Sequence, residues 1–297
     1  MPSVPMTIRV FLGLAVLAAT LADSCLRGAA QGIAPVQQPS DSPAIPGLAP
    51  VDGFQPFTSA DALAAYNRAN GLAHKDDYAA ARRQYDEAIE LEPSNRSALL
   101  ARCIAYRHLH DYGHAMDDCE EAIRLAPSGA QAHPERGVTR LLKADRDGAV
   151  ADFTEAIRLF PKYSQAFNDR AATRFLVRAA VETILPDLDE AIRLDPGSFD
   201  AHFNRAAIFI TLREWDRALD DYREAIRLRP NDAITYNNVG VAYRCKGDRD
   251  LAIAHYLKAL SLDPPGRTRQ TIEANLKEYA VTGNALAPSI EGAEFGT

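Results

Sequence analysis

Seven residues recur six times along this chain: EAIELEP, EAIRLAP, EAIRLFP, EAIRLDP, EAIRLRP and KALSLDP. They close on Pro93, Pro127, Pro161, Pro196, Pro230 and Pro264, at intervals of 34, 34, 35, 34 and 34 residues. A fixed period of this length restricts the fold more than any other feature of the sequence. Each copy is one supersecondary unit, too small to bury its own apolar face, and stacked neighbours must complete one another's core.

Counting back from each proline gives the content of the unit. Alanine stands 5 residues before it in every copy, at Ala88, Ala122, Ala156, Ala191, Ala225 and Ala259. Leucine stands 2 residues before it in every copy. At 12 residues before it come Ala81, Ala115, Ala149, Ile184, Ala218 and Ala252, and at 8 come Tyr85, Cys119, Phe153, Leu188, Tyr222 and Tyr256. These offsets share one helical face, where alanine allows a close neighbour and the large side chains fill the space beside it. Upstream, 24 residues before the proline, a second small-residue column holds Ala69, Cys103, Gly137, Ala206 and Gly240. Polar turns such as HKDDY, LHDYG and CKGDR separate the two columns. Each period therefore reads as helix, turn, helix, with proline ending the second helix.

A 34-residue helical hairpin with this alanine, aromatic and proline pattern resembles the tetratricopeptide repeat family. The resemblance runs from about Ala62 to Pro264. It implies an all-α, right-handed superhelical solenoid of about six helix–turn–helix units, spanning residues 59–264, whose first helices line a concave groove that binds peptides or protein segments. By that resemblance the groove lining is Asn70, Arg107, Gln131, Asn168, Phe203, Asn204, Asn237 and Arg244. Some members of the family hold a peptide C-terminal carboxylate with a fixed set of Lys, Asn and Arg; the expected lysines are missing here. The asparagines, which both donate and accept, suit a peptide backbone.

One repeat departs from the pattern. Its interval is 35, and Pro186 falls where its second helix is expected, so that helix either starts at the proline or kinks there. After Pro264 a polar helix from about Thr268 to Tyr279 is expected to cap the array within residues 265–280, with a tail over 281–297.

The N-terminus points to export. Arg9 is the only charged side chain before the run Val10–Ala22, which is too short to span a membrane comfortably and suits a signal-peptide core within residues 1–30. An uncleaved anchor is the competing reading, and a lipid anchor at Cys25 conflicts with Ala22 and Asp23 in the preceding LADSC. The mature chain then has no membrane span, and its place is the periplasm or the medium. Residues 31–58 carry a proline every few positions and read as a semi-extended linker.

The remaining chemistry points away from catalysis. A net charge of -7 argues against a general nucleic-acid binder. No GxSxG, Walker loop, GxGxxG or HExxH is present, and no cofactor or metal is expected. His108, His110 and His114 cluster at one turn, but their spacing crosses it, so solvated side chains are the plainer reading. Arg68, Arg102, Arg136 and Arg205 stand 25 residues before the proline, and Asp118, Asp152, Asp187 and Asp221 stand 9 before it. Arg170 takes the corresponding place in the 35-residue repeat. The acids recur with the arginines, which favours a structural ladder over an anion-binding patch. Cys103 and Cys119 read either as two small core thiols or, in an oxidising compartment, as a disulfide if their Cα atoms approach within about 7 Å. Trp215 reads as core. The sequence thus points to a non-catalytic scaffold or adaptor that binds a protein partner in a bacterial cell envelope. A self-assembling structural module and a metal-dependent enzyme are the alternatives.

Overall fold

The computed structural model describes residues 55–129 and 131–280. The signal-peptide reading, Cys25, most of the proline-rich linker and the tail over 281–297 lie outside the described residues. Among the described residues there are thirteen α-helices and no strand. They are α1 (Ala60–Ala73), α2 (Tyr78–Leu91), α3 (Arg96–His108), α4 (Tyr112–Leu125), α5 (Ala132–Leu142), α6 (Arg146–Leu159), α7 (Ser164–Leu176), α8 (Val181–Leu194), α9 (Phe199–Thr211), α10 (Trp215–Leu228), α11 (Ala233–Lys246), α12 (Arg249–Ser261) and α13 (Gly266–Ala280). Odd-numbered helices up to α11 are the first helices of the repeats, and even-numbered ones the second. None of these helices is long and apolar enough to cross a membrane.

The chain forms two compact units, one ending at Arg178 and the other beginning at Ala179. In the first, each helix from α1 to α6 packs on its successor, and the first helices α3 and α5 also touch. In the second, α8 to α13 pack in the same sequential way, and α9 touches α11.

The repeated sequence produces repeated local geometry. In five repeats the second helix ends at the leucine, and the next residue, one of Glu92, Ala126, Phe160, Asp195 and Arg229, is extended with φ from −135 to −148. A residue preceding proline is driven out of the helical region, so the helix stops there. Its N–H still bonds to the carbonyl of the alanine four residues earlier. The six alanines of that column are all buried, as are the large residues 8 before the proline.

Within each hairpin the turn reverses through one left-handed residue: Asp76, His110, Ala144, Arg178, Arg213 and Gly247, with φ from 58 to 94. In four hairpins the next residue, Asp77, Asp111, Asp145 or Asp248, caps the second helix by accepting a backbone N–H. In the 35-residue repeat the extra residue lies in this turn, where Ala179 and Ala180 separate Arg178 from α8. Helix α8 begins at Val181 and runs across Pro186, rather than starting at the proline. Pro186 is the sixth residue of α8 and has no N–H to offer the Glu182 carbonyl one turn earlier.

Two ends are fastened. Gln55–Ser59, at the foot of the stretch read as a linker, are strapped across the end of α2 and the start of α3. Glu92 Oε1 accepts from Thr58 N (2.7 Å), Thr58 Oγ1 (2.9 Å) and Ser59 N (2.5 Å), while Gln55 N donates to Ser97 Oγ at 2.7 Å. The Ser59 amide and its neighbours hold the Glu92 carboxyl below its usual range. At the other end, α13 packs on α12, and its buried Ile272 joins the same core as Phe203, Tyr222, Val239 and Tyr256.

Cys103 on α3 and Cys119 on α4 form a disulfide, with Cα atoms 5.9 Å apart. Both are fully buried, so the bond replaces the small-to-large contact that Gly137 makes with Phe153 and Gly240 with Tyr256 in other hairpins.

Candidate functional site

The charged columns are part of the scaffold. Arg102 clasps Asp118 of its own hairpin through Nε (2.8 Å) and Nη2 (2.7 Å), and its Nη1 reaches Asp86 of the preceding repeat at 2.8 Å. Arg205 does the same with Asp221 (2.8 and 2.7 Å) and Asp189 (2.8 Å). Arg136 grips Asp152, which also takes Arg140 Nη1 at 2.9 Å. The bonds therefore run both within and between repeats. In the first repeat Gln84 replaces the acid, and Arg68 turns to Gln84 (2.6 Å) and Glu87 (2.9 Å). Burial pushes Asp152 and Asp221 up, but their histidine and arginine partners outweigh it and hold both carboxyls below the usual range. Asp118 differs: burial, with Asp86 and Asp117 nearby, leaves it raised despite Arg102.

Two histidines not singled out in the sequence join this ladder. His202 Nδ1 lies 3.0 Å from Asp221 Oδ1, and its Nε2 lies 3.2 Å from the Pro196 carbonyl. His133 occupies the same repeat position, with Nδ1 3.5 Å from Asp152. The three histidines near the α3–α4 turn go to separate partners. His108 stacks on Tyr78 at 3.8 Å, His110 meets Tyr112 at 3.0 Å, and His114 meets Asp111 at 2.7 Å. Among the described residues no group of three His, Cys, Asp or Glu could hold a metal ion.

The residues proposed to line a groove fare unequally. In the first unit, Asn70 accepts the Tyr85 hydroxyl at 2.7 Å, which ties it to its own hairpin. Gln131 is exposed at the start of α5 and makes no capping bond. Asn168 is 1% exposed and donates to Asp169 Oδ1 at 3.2 Å, an oxygen that also accepts Gln165 Nε2 at 2.8 Å. Arg107 is 0% exposed, and its Nη1 donates to Glu135 Oε2 at 2.6 Å. Its Nε and Nη2 are shut away from solvent without an acceptor. Buried donors left in that state typically cost about 1–3 kcal/mol, so such an edge calls for a partner.

In the second unit, Phe203 faces inward rather than into a groove. It is 1% exposed, meets Tyr222 edge-on at 5.7 Å and stacks beside Phe199. The apolar ring wins the place beside Tyr222 because burial there removes both rings from water. Asn204 is buried, and Arg244 is half-buried. Asn237 is engaged by the chain itself: Asn275 of α13 donates to its Oδ1 at 2.9 Å. Asp200 of α9 went unnoticed in the sequence. It is 8% exposed, Oδ1 has no hydrogen-bond partner, and Arg229 Nη1 stands off at 3.7 Å while its guanidinium lies over the Phe199 ring. Burial, with Asp232 adding and Arg229 opposing, lifts the Asp200 carboxyl to about 6.

Glu135 and Asp169 were also missed, although the signal was present. They occupy the first-helix column that holds Asn204 and Asn238, 26 residues before the proline once the extra residue of the fourth repeat is allowed for. The column mixes acids with amides, and of its members only Asn204 was read as lining the groove.

Comparison with known proteins places the architecture. Tetratricopeptide repeat models match residues 199–232 and 233–264, and a second model of the same name matches 66–130. No curated protein matches the chain significantly. Among solved structures, Pseudomonas aeruginosa pilF aligns with a TM-score of 0.64 at 17% identity, covering 72% of this chain and 97% of that one. The TPR protein YrrB gives 0.51 at 20% identity, covering 65% and 97%. The Cut9–Hcn1 complex of APC/C gives 0.66 at 16% identity, covering 73% and 43%. These likenesses share an all-α fold of the TPR solenoid class. Over residues 66–130 and 199–264 the chain thus carries tetratricopeptide repeats, whose stacked hairpins build protein–protein interaction scaffolds.

Proposed function

We propose that this chain is a non-catalytic scaffold that binds a partner peptide or protein segment on the first-helix faces of its units. One observation carries the reading. The ladder arginines Arg102, Arg136 and Arg205 are each paired with a carboxylate, whereas Arg107, also on a first helix, keeps two buried nitrogens without an acceptor. In the second unit the buried Asp200 Oδ1 has no hydrogen bond, only a long ion pair to Arg229 Nη1 at 3.7 Å. Polar groups buried without partners are costly, and a bound segment would supply the missing acceptor and donor. YrrB, described as a TPR protein with an unusual peptide-binding site, shares the fold and makes the reading natural.

The scaffold is exported, with the bacterial cell envelope as its place of work. The buried Cys103–Cys119 pair supports this, since disulfides persist in oxidising compartments. The apolar run Val10–Ala22 after Arg9 supplies the export signal, with cleavage leaving a mature chain that begins between Asp23 and Gln31. Mass spectrometry of cell-derived protein tests it, and an intact Met1 overturns it.

Photocrosslinking tests the binding face. A benzoylphenylalanine placed at Gln131 or Asn70 should capture the same partner in the native host, and one at Arg124 on the outer face of α4 should not. Adducts formed from Arg124 alone would move the site to the outer helices.

A further inference from the structure

Four hairpins close an aromatic ring of the second helix against a small residue of the first. A Cβ on Gly137 would lie 3.0 Å from Phe153 Cε1, and one on Gly240 would lie 2.6 Å from Tyr256 Cε1. Ala69 shares a core cluster with Tyr85, and Ala206 shares one with Tyr222. The 35-residue repeat uses the buried Leu188 in place of the ring. The second hairpin has no large residue there. The buried members of its core are Leu99, Leu100, Cys103, Ala115, Cys119, Ala122 and Ala132, with no ring among them. Where the other hairpins have a small residue and a large one, it has the fully buried Cys103–Cys119 disulfide.

The two arrangements hold a hairpin by different means. A buried ring draws two helices together through the apolar surface it removes from water, in any redox state. A disulfide does so only while its sulfurs are bonded, by taking open conformations away from the unfolded chain. We propose that the Cys103–Cys119 bond is a redox lock on the second hairpin: α3 and α4 close stably only after the two thiols are oxidised. The oxidant is a disulfide, R–S–S–R, acting by thiol–disulfide exchange. One cysteine thiolate attacks it and releases a first R–SH, leaving a mixed disulfide. The other cysteine thiolate attacks the cysteine sulfur of that mixed disulfide and releases a second R–SH. The two cysteines thereby give up two electrons and two protons, which the oxidant takes. Once the hairpin is closed both sulfurs are covered, so a reductant meets the bond only when the hairpin opens.

The lock sits where much depends on it. Helix α3 carries Arg102, which joins Asp118 to Asp86 of the preceding repeat, and Arg107, which reaches Glu135 of the following one. It also carries Ser97, which holds the Gln55 strap. A chain in a reducing compartment keeps this repeat open, and it completes its first-helix face on reaching an oxidising one. That consequence rests on the reading of an exported scaffold; the lock itself does not.

Hydrogen–deuterium exchange of the full chain, read by mass spectrometry, tests the lock. The oxidised chain is compared with one unfolded in dithiothreitol and refolded with the reductant present. A second chain, Cys103→Ala with Cys119→Tyr, copies the Ala69–Tyr85 and Ala206–Tyr222 pairs. In the oxidised wild type, α3 and α4 should exchange as slowly as α1, α2, α5 and α6. Reduction should speed exchange over α3 and α4 on the order of a hundredfold and leave α9 to α12 unchanged. The double variant should exchange slowly with and without dithiothreitol. Three results would each overturn the proposal: no change on reduction, an equal acceleration over every helix, or a double variant that exchanges as fast as the reduced wild type. If exchange behaves as expected while cell-derived protein keeps Met1, the lock stands and export falls.

Discussion

Asp200 and His255 are buried in the same unit, and burial moves each away from its charged form. The consequences for stability have opposite signs. Asp200 is lifted to about 6, above its unfolded value, so the folded chain holds this proton more tightly. Its contribution is therefore full below about pH 4 and is lost as pH rises through 6. His255 is lowered by burial to about 4, so the unfolded chain takes the proton first. Its contribution is full above about pH 6.5 and is lost as pH falls toward 4. Replacing Asp200→Asn should raise stability at pH 7 by on the order of 2 kcal/mol and steepen the loss on acidification. His255→Phe, which keeps a ring between Tyr236 and Tyr243, should flatten that loss. Urea midpoints between pH 4.5 and 7 read both slopes. Slopes that match wild type in both variants would mean that neither group changes its proton affinity on folding.

Helices and turns were legible to different depths. The small-residue column and its large partners were plain in the sequence, because close packing of two helices leaves little choice of side chain. Gly240 shows how tight the contact is: a Cβ there would lie 2.6 Å from Cε1 of the buried Tyr256 and 3.1 Å from the Ala252 carbonyl oxygen. Gly240→Ala should cost about 1–3 kcal/mol in chemical denaturation, as overpacked cores do. The left-handed turn residue was not legible. Five of its six occurrences are Asp, His, Ala or Arg, and only Gly247 carries the side chain that usually marks such a position. Hairpin closure imposes the conformation against local preference. Ala144 at φ 64 has no side-chain hydrogen bond to offset it, so Ala144→Gly should raise stability by roughly 0.5–1 kcal/mol. A midpoint unchanged by that substitution would show the turn to be unstrained. At Pro186 the sequence allowed a late helix start or a kink, and α8 begins five residues before the proline, at Val181.

For the molecule as a whole, periodicity gave the fold class, because a repeated register is an averaged signal that single departures do not erase. The functional side chains enjoy no such averaging. Phe203 shares its repeat position with Asn237, yet one is committed to the core and the other to Asn275, and only the packing of Tyr222 and α13 decides this. Arg107 was chosen as an arginine, while the property that distinguishes it, an unfilled donor edge, depends on Glu135 arriving from the next repeat. The disulfide was open in the sequence for a similar reason, since it needed a Cα separation. Its span now has a mechanical meaning. Cys103 and Cys119 are 16 residues apart along the chain but 5.9 Å apart in space. A stretched segment of that length reaches about 55 Å. Pulled from its two ends in optical tweezers, the oxidised chain should therefore stop about 50 Å short of the length it reaches once a reductant is added, the whole difference stored as slack inside a single hairpin.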